Sequence, residues 1–377
     1  VGFTALNDNT TGSENTAVGR LALYANTTGA NNIGVGYYAM QASTTGEKNV
    51  AVGNYALDAN TTGDYNIAIG HDALTAATTP SMNTAIGYKS LTAATTGGNC
   101  VAVGSLTLED LTTGVNHTAI GRDALKSVTT INNLTAVGFK ALTENTTGDA
   151  NTALGYTTLQ NNTTGTNNTA VGYQVLTNNI SGYQNTGVGD RALANNTDNN
   201  NTAVGTFALQ ASTTASNNTA VGLHAGKATT TGANNTFIGA AAGLKNTTGQ
   251  ENTAVGRDSF YENLTGGHNT ALGYQALVYN TAGNHITGVG YQALNNNTAS
   301  NGTALGSQAL RLNTSGANNS AVGSWSLASN TTGNYQVAIG CQALEDNTTG
   351  SNNVAIGHEA LTNNTTAGNN VAVGINS

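Results

Sequence analysis

The sequence predicts an all-β protein: a parallel β-solenoid of the β-roll kind, built from 17-residue coils and running as one continuous array over residues 1–377. Three observations predict it. A glycine recurs from Gly2 to Gly374 at a nearly constant interval, small or β-branched residues flank it in fixed order, and turn-forming residues return once per interval. Twenty of the 22 intervals are 17 residues; two are 16, ending at Gly205 and Gly306.

Positions are counted from this anchor glycine, exemplified by Gly19, Gly36 and Gly53. Position −1 is always Val, Ile or Leu, as at Val18, Val35 and Val52. Position −2 is Ala or Gly except at Phe237, −3 is Thr, Ser, Val or Ile, and −4 is mostly Asn. After the anchor, +3 is usually Ala and +4 usually Leu, as at Leu23 and Leu57. A turn follows at +7 to +10, commonly Asn-Thr-Thr-Gly, as at Asn9–Gly12 and Asn60–Gly63.

The Asn-Thr-Ala-Val-Gly segment reads as a strand, with β-branched residues at alternate positions. The Ala-Leu segment reads as a second strand. Gly at +10 is expected in a left-handed turn conformation, and Pro80, at the same site, breaks no strand. Both short coils lose their residue in this turn, between Asn195 and Asn200 and between Asn296 and Asn301. A turn absorbs such a deletion, whereas a strand would invert its faces. Coils stacked at the strand spacing of about 4.8 Å would make a rod on the order of 100 Å long.

One local anomaly orients the coil. Gly226 and Gly243 replace the usual +4 Leu, Phe237 lies between them at −2, and Phe260 fills the next +4 site. A large residue beside two vacated ones implies that −2 and +4 share one interior. Alternation along the strand then turns −1 and −3 outward. An aliphatic column of that length calls for a cover, and identical chains around a three-fold axis are the simplest one. The opposite assignment places −1 and −3 inside and Phe237 outside.

Composition narrows the function. Charged residues make up 8% of the chain, and aliphatic residues recur at fixed intervals, which argues for a repeat rather than disorder. The net charge of −8 includes no basic patch, so nucleic acid is not an expected partner. No apolar run approaches the roughly 20 residues of a membrane span, so this segment is not expected to insert. Cys100 and Cys341 lie too far apart along the array to pair with each other. The first and last residues fall within a repeat, so the chain is read as a piece of a longer fibre protein.

The Asn-Thr-Ala-Val-Gly strand followed by Ala-Leu resembles the head repeats of trimeric autotransporter adhesins. The fuller unit, Asn246-Thr247-Thr248-Gly249 before Asn252-Thr253-Ala254-Val255-Gly256, resembles repeats of phage tail-fibre-like and bacterial surface proteins. The resemblance covers essentially the whole chain. It implies left-handed parallel β-rolls wound as a homotrimer outside the cell, on a cell surface or virion. The chain departs from the adhesin heads in its longer repeat and its added Thr-Thr-Gly turn.

No catalytic residue, cofactor or metal is expected. His71-Asp72 and His358-Glu359 are adjacent pairs, which on a strand would face opposite sides. His268 and His285 share a phase in successive coils and could stack as a ladder, but no Cys or carboxylate row is expected to complete a metal site. The Asn row at −4 is expected to form a ladder of side-chain amides. Tyr37, Tyr88, Tyr156, Tyr173, Tyr274 and Tyr291 all stand at +1, a variable and therefore exposed position, and could contact glycans. The Asn-x-Thr turns, as at Asn26-Thr27-Thr28, would be glycosylation acceptors in a cell with that machinery. The sequence thus suggests a structural or adhesive segment of an extracellular trimeric fibre, with itself as principal partner. The alternative is an ice-binding or monomeric structural solenoid presenting Thr rows at −3, +8 and +9.

Overall fold

A computed structural model describes residues 1–377 and shows an all-β parallel solenoid with one coil per repeat and no helix. It comprises two units, Val1–Asn185 and Thr186–Ser377. The first contains strands β1 (Thr16–Val18) to β10 (Thr169–Val171), and the second contains β11 (Thr186–Val188) to β22 (Val371–Val373). Within each unit, consecutive strands pair in parallel at the repeat spacing, as in Thr16↔Ile33 and Thr253↔Thr270. The −3 N–H donates to the −4 carbonyl of the next coil, and the anchor N–H donates to the −1 carbonyl of the coil before.

Each coil holds one three-residue strand rather than two. The Ala-Leu segment is a turn in which +2 and +4 both take positive φ: 61° at Leu21 and 53° at Leu23, 60° at Tyr55 and 53° at Leu57. A third non-glycine residue, at −5, does the same (Asn31, φ 60°). Left-handed backbone costs an L-residue about 1–2 kcal/mol. Here the neighbouring coils hold it in place: Leu23 N–H donates to Ala39 O at 3.0 Å and Ala25 N–H to Gln41 O at 3.0 Å. Asn tolerates this conformation better than most residues, which accounts for its frequency at −5.

The two glycine columns have different causes. The anchor glycines sit at φ 125° to 150°, and a Cβ at Gly121 would lie 2.5 Å from the Gly138 carbonyl oxygen. The +10 glycines, expected to be left-handed, are not among the positive-φ residues. They are required by close approach instead: a Cβ at Gly266 would lie 2.5 Å from Gly283 O and 2.6 Å from Asn263 Oδ1.

The interior is half apolar and half amide. The −2, +3 and +4 residues are buried, as at Ala51, Ala56 and Leu57, while the strand's outer positions are not. The −4 amides form the expected ladder, with Asn49 Nδ2 donating to Gly63 O at 2.8 Å and Asn49 Oδ1 accepting the Asn66 N–H at 2.8 Å. A second ladder runs along +7, where Asn162 Nδ2 reaches Asn145 Oδ1 at 2.7 Å and Gly165 O at 3.0 Å. Each such +10 carbonyl thus accepts two amide donors, as Gly29 O does from Asn15 and Asn26. Where Ser43 interrupts the +7 column, Asn26 Oδ1 is left buried without a partner.

Between Ala77 and Leu134 the +7 amides are all replaced, while the −4 column loses its amide at Cys100 and Leu134 and keeps polar groups at Asn83 and His117. Ala77, Ala94, Leu111 and Val128 occupy +7, and Cys100 and Leu134 occupy −4, all buried. Replacing consecutive +7 amides as a run avoids the orphaned partner that a single exchange leaves, as at Asn26.

The short coils shorten only the turn. Asn196 Nδ2 and Asn297 Nδ2 reach the carbonyl two residues on, at 2.7 Å each, instead of three. Strand register is unchanged at Thr186↔Thr202 and Thr287↔Thr303.

Phe237 is fully buried, and its ring fills the space left at Gly226 and Gly243. A Cβ at Gly226 would lie 2.7 Å from Phe237 Cδ2, and one at Gly243 would lie 2.5 Å from Cδ1. Both glycines hold φ near +60°, the conformation of the Leu they replace. Phe237→Ala alone should cost about 3–5 kcal/mol, and Gly243→Leu alone should also destabilise. Combined with Gly226→Leu, the two should restore a melting temperature near the parent's. Thermal melts of the four chains check this sign reversal.

Candidate functional site

The candidate surfaces lie on the two sides of the anchor glycine. Before it stands the outward aliphatic column: Val18, Ile69 and Leu154 are 43%, 38% and 44% exposed, between buried −2 neighbours. Strand alternation forces this arrangement once the −2 Ala is inside. At −3 the same face carries Ile33 and Ile67 near the start of the first unit and an unbroken Thr run from Thr186 to Thr303 in the second. The +8 Thr row is different. Its hydroxyls donate along the column to the backbone, as Thr27 Oγ1 does to Thr44 O at 3.0 Å and Thr44 Oγ1 to Thr61 O at 3.0 Å. Their protons are therefore not offered to an ordered water layer.

After the anchor stands the aromatic +1 column, interrupted by polar residues into short groups. Phe139, Tyr156 and Tyr173 stack at 5.3 and 5.2 Å with planes within 18° of parallel, and Tyr274 and Tyr291 stack at 5.8 Å. An arginine one coil earlier lies over the first ring of each group: Arg122 over Phe139 at 5.9 Å and Arg257 over Tyr274 at 6.0 Å. Stacked rings hide their faces from solvent and present edges. The group containing Tyr37 is arranged otherwise. Tyr37 meets Tyr38 at 61° and Tyr55 at 89°, edge against face, with Arg20 over the Tyr37 ring at 5.7 Å. Tyr88 joins this end through His71, 6.0 Å away. Tyr38 and Tyr55 stand at +2, and the sequence reading, confined to +1, missed them.

The adjacent charged pairs do not face opposite sides. His71 Nδ1 lies 3.0 Å from Asp72 Oδ2, and His358 Nε2 lies 3.8 Å from Glu359 Oε1. These residues stand at +1 and +2 of the turn, where the positive φ at +2 brings neighbours together. Arg122–Asp123 and Arg257–Asp258 repeat the pattern at 3.3 Å. The solvent-facing pair His358–Glu359 contributes about 0–1 kcal/mol.

His268 and His285 do stack, with centroids 4.9 Å apart and planes 6° from parallel. The carboxylate missed in the sequence is Glu251, in the same −5 column one coil earlier, with Oε2 at 2.8 Å from His268 Nδ1. The 17-residue spacing alone could have found it. Cys100 is buried in the −4 column and Cys341 is exposed at +1; both are free.

His117 is an internal counterpart of the −4 amide. Its Nε2 lies 2.8 Å from Ile131 O, and its Nδ1 accepts the Leu134 N–H at 3.3 Å. These contacts require a neutral ring protonated on Nε2. Burial pushes its pKa below the ordinary value of 6.5, with the Ile131 carbonyl opposing the shift. The fold therefore binds this proton more weakly than the unfolded chain does. The related stability is complete above about pH 6.5 and is lost as the pH falls below it. His117→Asn, which restores the amide, should reduce the drop in melting temperature between pH 7.5 and pH 5; an unchanged drop would contradict this role.

No protein-family model and no curated protein matches the chain.

Proposed function

We propose that the chain is a structural and adhesive segment of an extracellular fibre, of the phage tail-fibre or bacterial surface-adhesin type. Three identical chains with left-handed coils associate side by side through the outward −1 column. The observation that carries this reading is that column: one half-exposed Val, Ile or Leu per coil, repeated along each unit with the coil spacing. An aliphatic strip this long is unfavourable in water. A copy of the same chain offers a strip of the same period, and a closed ring of copies buries every strip equally. The fibre's work in this reading is mechanical and multivalent. Axial hydrogen bonds carry load from coil to coil, and exposed +1 and +2 residues offer repeated weak contacts whose effects combine.

The particle mass in solution tests the proposal. Light scattering at micromolar concentration should give about 114 kDa, three times the 37.9 kDa chain. A mass of 37.9 kDa would contradict it and favour a solenoid that works as a monomer.

A further inference from the structure

The −5 column carries Glu251, His268 and His285 in three successive coils, all with φ between 57° and 59°. The shared backbone conformation sends the three side chains out in one direction, one coil apart. The imidazole planes are 6° from parallel, with centroids 4.9 Å apart. Both rings are exposed at the surface. Glu251 Oε2, 2.8 Å from His268 Nδ1, holds the proton of the neutral ring on Nδ1 and leaves the lone pair on Nε2. Carboxylates orient metal-binding histidines in this way.

We propose that His268 and His285 form a surface chelate for a divalent transition-metal ion of the zinc, nickel or copper class. His268 supplies Nε2 and His285 a ring nitrogen; Glu251 is the positioning residue, and water completes the coordination. Imidazole suits these ions, whereas magnesium and calcium prefer oxygen ligands. Metal–nitrogen bonds of about 2.0–2.1 Å place two nitrogens about 3.3 Å apart on a tetrahedral ion and about 2.9 Å apart at adjacent corners of a square-planar one. In the stack the two in-plane lone pairs point the same way, so binding turns each imidazole out of the stack by roughly 45–55° about its side-chain bonds, which leaves the coil unchanged.

The column supplies its own control. Asn234 and Asn301 occupy −5 in the coils on either side of this group, so His268→Asn and His285→Asn suit the local backbone. Calorimetric titration of the tag-free chain at pH 7.5 with nickel or zinc chloride should show one saturable site per chain. Binding should weaken at least tenfold in either histidine variant and about tenfold in Glu251→Gln. The copper-loaded parent should show two equatorial nitrogens by electron paramagnetic resonance, and either histidine variant one. Binding in His268→Asn or His285→Asn as tight as in the parent would overturn the proposal. So would a parent that binds no better than the double variant.

Discussion

Each coil must lie directly on the next with nothing between their backbones, and the rest of the structure depends on this constraint. It is sharpest at the anchor glycine, where even a methyl group would meet the carbonyl of the following glycine. Contact that close lets alternate N–H groups along the whole coil find carbonyls one coil away, in the turns as well as in the strand. Those bonds hold Leu21, Leu23 and their equivalents in a left-handed conformation they would otherwise avoid. The constraint also fixes the period. A coil can lose one residue only where the turn between the +7 amide and the carbonyl it reaches can shorten, as happens after Asn196 and Asn297.

A coil of 17 residues encloses too little space for a conventional core, and the interior meets this limit in two ways. Ala and Leu fill one side, while two columns of Asn amides fill the other and satisfy the turn carbonyls. An amide column gives way to apolar side chains over a run of coils. Leu111, Val128 and Leu134 show the apolar version, and His117 shows an imidazole doing the work of an amide. Phe237 with Gly226 and Gly243 shows the same exchange on the apolar side. Volume and hydrogen-bonding capacity are conserved per stretch of coils rather than per residue.

Much of this was legible from periodicity. The repeat, the inward −2 and +4 positions, the −4 ladder and the site of the deletions all follow from residues that recur or fail to recur in phase. The +1 to +5 segment was not legible, because Ala-Leu alternation looks like a strand and the left-handed backbone at Leu is imposed by neighbouring coils, not by local preference. That misreading also hid the contacts between His71 and Asp72 and between Tyr37 and Tyr38. The +10 glycines suggest a left-handed turn but serve close approach instead, since steric closeness and positive φ leave the same mark on a sequence. Glu251 is legible only when the −5 column is followed at the 17-residue period, which places it one coil before His268.

The aliphatic −1 column lies outside the coil, and we propose that another copy of the chain covers it. Thiol reactivity tests both halves at once. In a background of Cys100→Asn and Cys341→Ser, alkylation of Leu154→Cys, at −1, is compared with that of Leu159→Cys, at +4, over a range of protein concentrations. The thiol at 159 should stay protected at every concentration. The thiol at 154 should react in dilute solution and become protected as the chains associate. Protection at 154 in monomers would contradict the outward assignment, and reactivity that never falls with concentration would contradict the cover.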